Sequence, residues 1–148
     1  MILEAYAQVP NQSLKFIGNW NNSEFGKELK NRFGVFNNIE LIDPIYDLEQ
    51  LFKLRSKAAR YIHGHSAGGT NPSLVEMMFF DLPIYCFDCN YNRASTDKAM
   101  YFSSSEHLVE LLNTKNEDLT IAKQMLEVSK RRYTWSIVKQ QYENLFND

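Results

Sequence analysis

The sequence predicts an α/β chain of Rossmann-like type: a three-layer parallel sheet with helices on both faces and further helices at the C-terminal end. Short apolar runs return at intervals of roughly 20 to 25 residues, and the segments between them carry helical spacing, the pattern of alternating strands and helices around a parallel sheet. One strand-to-helix junction is rich in glycine and ends in Asn71-Pro72, a favoured helix start.

The elements follow in order. Met1 to Gln8 has the apolar spacing of a helix end (Ile2, Leu3, Ala5, Tyr6), with no strand before it. Leu14 to Trp20 reads as the first strand. A helix follows from an N-cap at Ser23 to Arg32, with Gly34 as its stop signal. Ile39 to Asp43 reads as the second strand, closed by Pro44. Leu48, Leu51, Phe52 and Leu54 put an apolar face on a helix over residues 47 to 56. Ala59 to Gly64 makes a third strand, Pro72 opens a helix, Pro83 to Asp88 is a fourth strand and Ala99 to Phe102 a fifth. Helices are expected near 105–113, 117–131 and 134–146. No repeat or linker appears, so residues 1–148 read as one domain.

At 148 residues the chain is long enough to bury about 70% of its unfolded surface. A composition of 44% hydrophobic and 23% charged residues is that of a globular protein. A net charge of −2 argues against a nucleic-acid backbone as the main partner, because neutralising many phosphates takes an excess of Lys and Arg. The basic run Lys130, Arg131, Arg132 reads as a solvated helix end, with contact to acidic lipid, and so peripheral membrane association, as the other reading. No stretch approaches 18 apolar residues and the opening lacks a signal-peptide pattern. The expected location is therefore the cytoplasm or the inner face of its membrane. Cys86 and Cys89 form one C-x2-C, disfavoured as a redox pair in a reducing compartment.

Residues 61 to 78, YIHGHSAGGTNPSLVEMM, carry the candidate chemistry. Gly64, Gly68 and Gly69 precede a helix start, where glycine allows close backbone approach and free N–H groups with the helix dipole favour an anion such as phosphate. Such a turn lies at the carboxyl end of a strand, the usual ligand position in open α/β sheets. It matches neither the Walker A pattern nor the dinucleotide fingerprint, which disfavours a P-loop NTPase or an NAD enzyme. Glu76, one turn into the helix, is placed to lean back toward a sugar hydroxyl beside the phosphate. A carboxylate there is also mildly stabilising on its own, by about 0.3–1 kcal/mol. Its neighbours Leu74, Val75, Met77 and Met78 are apolar, and a charge in a buried helix needs a partner. His63 and His65 are expected to face opposite ways, so that they do not share a metal; His63 packs structurally and His65 faces the cleft.

The string HGHSAGGTNPSLVEMM, followed by LPIYCFDCNYNR and AMYF, resembles the donor-site core of family 4 retaining glycosyltransferases, in particular rhamnosyltransferase-like members of bacterial polysaccharide pathways. KFIGNW and LIDPIYDLEQLF are similar to the strands before it. The resemblance implies one half of a GT-B architecture, the half that binds a nucleotide-diphospho-sugar donor without an obligatory metal or other cofactor. Glu76 matches the second glutamate of the family's Glu-x7-Glu motif and implies contact with the ribose; Gly68 stands where the first glutamate belongs. Gly69, Thr70 and Asn71 match the turn whose amides meet the diphosphate and sugar, and Ile45, Tyr46 and Asp47 fall where members contact the base. His65 or Asn71 is the candidate for the missing glutamate's work at the donor sugar, and His65 for a catalytic role. Asn92 and Arg93 resemble a subfamily feature without a derivable role.

The family's basic pair and its acceptor domain have no counterpart in the chain. The expectation is therefore a donor-binding fragment, lacking the first strand and the acceptor domain, that transfers little by itself. The partners implied are a nucleotide-sugar donor and a glycan or lipid-linked acceptor. A non-catalytic interaction module, or a remnant of a nucleotide-sugar epimerase, is the alternative.

Overall fold

A computed structural model describes residues 1–114 and 119–146. Its elements are α1 (Ile2–Ala7), β1 (Leu14–Ile17), α2 (Glu24–Phe33), β2 (Ile39–Ile42), α3 (Leu48–Arg55), β3 (Tyr61–His63), α4 (Pro72–Met78), β4 (Ile84–Phe87), α5 (Asn90–Thr96), β5 (Met100–Phe102), α6 (Ser105–Asn113), α7 (Leu119–Arg132) and α8 (Trp135–Leu145). The α/β class holds, with parallel pairing. Among the described residues the ladders form two sheets, β1-β2 and β3-β4-β5, and the chain divides into two compact units. Met1–Leu54 with Phe102–Lys115 is the first, and Arg55–Tyr101 with Asn116–Asp148 the second. Residues 117 and 118 of the expected helix lie outside the described residues.

In the first unit β1 pairs with β2 from Leu14 opposite Ile39 to Ile17 opposite Ile42, and Leu14 and Ile39 are buried. The strand stops at Ile17 instead of running to Trp20 because the chain turns there. The Gly18 N–H still reaches the Ile42 carbonyl at 3.0 Å, but the Trp20 N–H donates back to Gly18. The Trp20 indole then folds over the strand end, donating to the Ile42 carbonyl at 2.9 Å and meeting Phe16 edge-on at 5.2 Å. Ser23 caps α2 by accepting from the Gly26 N–H at 3.0 Å, satisfying one of the free donors of a helix start. Gly26 allows α2 to begin against the preceding loop: a Cβ there would lie 2.5 Å from the Trp20 carbonyl oxygen. The Asn38 amide, reaching the carbonyls of Tyr6 (2.8 Å) and Gln12 (2.9 Å), ties the end of α1 to the start of β2. α1 packs on α6 through buried Leu3, Tyr6, Leu108 and Leu112.

In the second unit β3 pairs with β4 from Tyr61 opposite Ile84 to His63 opposite Cys86, and β5 lies along the other edge of β4. Leu74, Met77 and Met78 of α4 join Leu82, Ile84 and Cys86, and Met125 and Val128 of α7, in one buried cluster. Each fully buried side chain of this kind contributes about 1.5–3 kcal/mol relative to exposure.

α5 has no counterpart in the sequence reading. Its residues, NYNRAST, lack an apolar face, and its buried side chains are Asn92, Ser95 and Thr96. Polar tertiary contacts hold it. The Thr96 hydroxyl donates to the Asn92 carbonyl at 2.7 Å and lies 2.8 Å from the Tyr101 hydroxyl. Arg132 donates to the Ala94 carbonyl at 2.8 Å, and the Tyr133 hydroxyl to the Ser95 carbonyl at 3.0 Å. Asp97, at φ 60, closes the helix and receives Arg132 at 2.7 Å and Arg131 at 3.0 Å. Two of the three residues read as a solvated basic helix end thus cap another helix, an assignment that needs residues 35 positions away.

Candidate functional site

The turn from β3 into α4 is built by local rules. β3 ends at His63, and residues 64 to 70 are exposed. Gly68 sits at φ +88, a region L side chains rarely adopt. Gly69 has nothing within 4 Å of the position a Cβ would take, so the chain there borders open space. Asn71 caps α4, its side chain accepting from the Ser73 N–H at 3.0 Å, with Pro72 at the first helical position. His65, Gly68, Gly69, Thr70 and Asn71 therefore come together in one open turn. Among the described residues, no backbone N–H from Gly64 to Thr70 donates to a backbone carbonyl. Ile45 and Tyr46 belong to the other unit, in the segment between β2 and α3; Tyr46 is exposed and Ile45 partly buried.

Glu76 follows one turn into α4. The expectation of a charge on a buried face is corrected: α4 buries Leu74, Met77 and Met78 and leaves Glu76 on its exposed side. Its carboxylate accepts from Arg55 Nη1 at 2.6 Å. With Glu76 about half exposed, the pair contributes about 0–1 kcal/mol. The sequence reading missed Arg55, which lies 21 positions away and meets Glu76 only in the fold.

The two histidines also differ from expectation. Their rings lie 6.1 Å apart, centre to centre, because residues two positions apart on an extended chain share a side. His63 is buried and lies opposite Cys86, its Nδ1 3.2 Å from the Tyr61 hydroxyl, and Nε2 has no partner among the described residues. Burial, with the charge of His65 second, pushes its pKa down to about 4, so it is neutral near pH 7. Burial likewise raises the Tyr61 hydroxyl to about 12. His65 is exposed. Among the described residues no three His, Cys, Asp or Glu side chains are grouped to hold a metal ion. Both cysteines are free thiols; Cys86 is buried, which raises its pKa and disfavours the thiolate that redox chemistry needs.

Beyond the turn, α5 begins where β4 ends. The buried Asn92 amide donates to the His65 carbonyl at 2.9 Å and the Phe87 carbonyl at 2.8 Å. Ser95 Oγ lies 3.4 Å from Thr70 Oγ1. Arg93 is held by both oxygens of Asp88, at 2.6 and 2.8 Å, and lies over the Tyr101 ring at 4.2 Å. Asn92 and Arg93 were visible in the sequence only as a resemblance; their contacts are tertiary.

No protein-family model and no curated protein matches the sequence. Solved structures do. Anabaena HepE in complex with UDP-glucose superposes with a TM-score of 0.80 at 21% identity, covering 99% of this chain and 44% of that one. HepE with UDP gives 0.78 at 18% identity over the same shares. The pneumococcal O-GlcNAc transferase GtfA, in complex with UDP and GlcNAc, gives 0.71 at 15% identity, covering 99% of this chain and 31% of that one. The chain thus spans less than half the length of each of these proteins, and no helix among its described residues is long and apolar enough to cross a membrane. At these identities the likeness concerns the fold, and the fold is glycosyltransferase-like, of the Rossmann type found in GT-B proteins.

Proposed function

We propose that this chain is the donor-binding part of a retaining glycosyltransferase, taking a nucleoside-diphosphate sugar and serving a bacterial polysaccharide pathway such as capsule, exopolysaccharide or lipopolysaccharide assembly. The observation that carries the reading is the open turn His65–Asn71. Among the described residues its backbone N–H groups up to Thr70 donate to no backbone carbonyl, on a fold whose neighbours are described with UDP or UDP-glucose bound.

In this reading the amides of Gly68, Gly69 and Thr70, with the start of α4, receive the diphosphate. Charge that develops on a departing phosphate is best met by donors already fixed in place. Glu76, held by Arg55, offers its second carboxylate oxygen to the ribose. His65 acts at the donor sugar, where Gly68 replaces the family's first glutamate. No metal or other cofactor is assigned to the site. The acceptor is bound by a further domain, so donor binding and not transfer is the activity to measure here.

A thermal-shift titration with UDP and UDP-glucose tests this. Ligand at 100 times its dissociation constant adds about 2.7 kcal/mol, or roughly 5–10 °C for a chain this long. Glu76→Gln should weaken binding by about 1.5–3 kcal/mol while leaving melting of the free protein within the small worth of a half-exposed pair. No shift at millimolar nucleotide would favour a non-catalytic interaction module. Unchanged affinity in Glu76→Gln would remove that side chain from the site.

A further inference from the structure

The parallel register between β3 and β4 stops one rung short. Tyr61 donates to Pro83, and with His63 opposite Cys86 the pattern would next carry the His65 N–H to the Phe87 carbonyl. That carbonyl accepts from the Asn92 side chain at 2.8 Å. The same amide group donates its second proton to the His65 carbonyl at 2.9 Å. Asn92 is 3% exposed, so its amide depends on these two carbonyls, both in part-buried bonds, to satisfy its donors.

Resting on the reading of this turn as a nucleotide-sugar site, we propose that Asn92 is its positioning residue. By donating to the Phe87 carbonyl it ties α5 to the end of β4. By holding the His65 carbonyl it fixes the direction in which the turn leaves the sheet, with its amides outward. Ser95, one turn along α5, steadies the far end of the turn at Thr70. α5, which has no apolar reason to be a helix, is thereby a bracket for the turn.

The test uses 15N relaxation of the free protein together with UDP titration. In the wild type the amides of residues 65–70 should have order parameters near that of rigid backbone, about 0.85. In Asn92→Ala they should fall below about 0.6 while β3 and β4 stay rigid. Asn92→Asp keeps the size of the side chain but loses the donor, so it should behave as Asn92→Ala does; a purely space-filling Asn92 would be rescued by it. UDP affinity should drop about tenfold in both, the loss of one hydrogen bond's worth of order. If either Asn92 variant fails to fold, Ser95→Ala should still loosen Thr70 selectively. A mobile turn in the wild type, or an unchanged turn in the variants, overturns the proposal whether or not nucleotide binds. A rigid turn that Asn92→Ala loosens, in a protein that binds no UDP, would uphold the bracket and reject the donor site.

Discussion

Gly68 and Gly69 are adjacent, yet alanine should act on them in opposite directions. At Gly68 the backbone is at φ +88, and the nearest atom to an added Cβ, His65 Nε2, lies 3.9 Å away. Space is therefore not the obstacle; backbone strain is, at about 1–2 kcal/mol for an L residue on the left-handed side. Alanine recovers about 0.4–1 kcal/mol through a less disordered unfolded chain, leaving a net loss of up to about 1.6 kcal/mol. At roughly 2–4 °C per kcal/mol for this size, Gly68→Ala should melt up to about 6 °C lower. Gly69 lies outside that region and faces open space, so the same entropy term stands alone and Gly69→Ala should melt up to about 4 °C higher. Differential scanning calorimetry of the three proteins without ligand reads the signs directly. Calorimetric titration with UDP then separates packing from function, because a methyl on Gly69 stands where the proposed diphosphate approaches and should weaken binding at least tenfold in the more stable variant. Equal melting shifts would refute the conformational reasoning. Wild-type UDP affinity in Gly69→Ala would refute close approach of the ligand there.

Gly26→Ala gains about 1 kcal/mol of helix propensity but presses a Cβ to within 2.5 Å of the Trp20 carbonyl oxygen, which belongs to backbone and yields poorly. A net loss of about 1–2 kcal/mol in urea unfolding is expected, and a stabilised variant would show that the loop gives way. Asn38→Ala strips donors from the Tyr6 and Gln12 carbonyls and should lose about 1–3 kcal/mol, read as a lower urea midpoint at unchanged slope. His63 is held below its ordinary pKa, so the unfolded chain binds a proton that the folded chain refuses between pH 6.5 and about 4. Its contribution is therefore intact above pH 6.5 and is lost as pH falls through that window. The stability of wild type relative to His63→Leu should decline over the same interval, and a difference that stays flat with pH would mean the ring is not kept neutral.

The sequence alone determined whatever depends on neighbours along the chain. Ser23, Gly34, Asn71 and Pro72 set helix ends because capping involves residues within one turn, and the apolar runs at Leu14, Ile39, Tyr61, Ile84 and Met100 marked the strands. The glycine turn before α4 was legible for the same reason. Only the tertiary structure decided that the strands pair as two ladders, since register is settled between segments some 25 positions apart in the chain. It alone decided that Glu76 meets Arg55 and that Arg131 and Arg132 meet Asp97. α5 shows the division most plainly. A helix that buries amide and hydroxyl groups leaves no hydrophobic period to read, and its stability comes from partners that hydrophobic spacing cannot reveal.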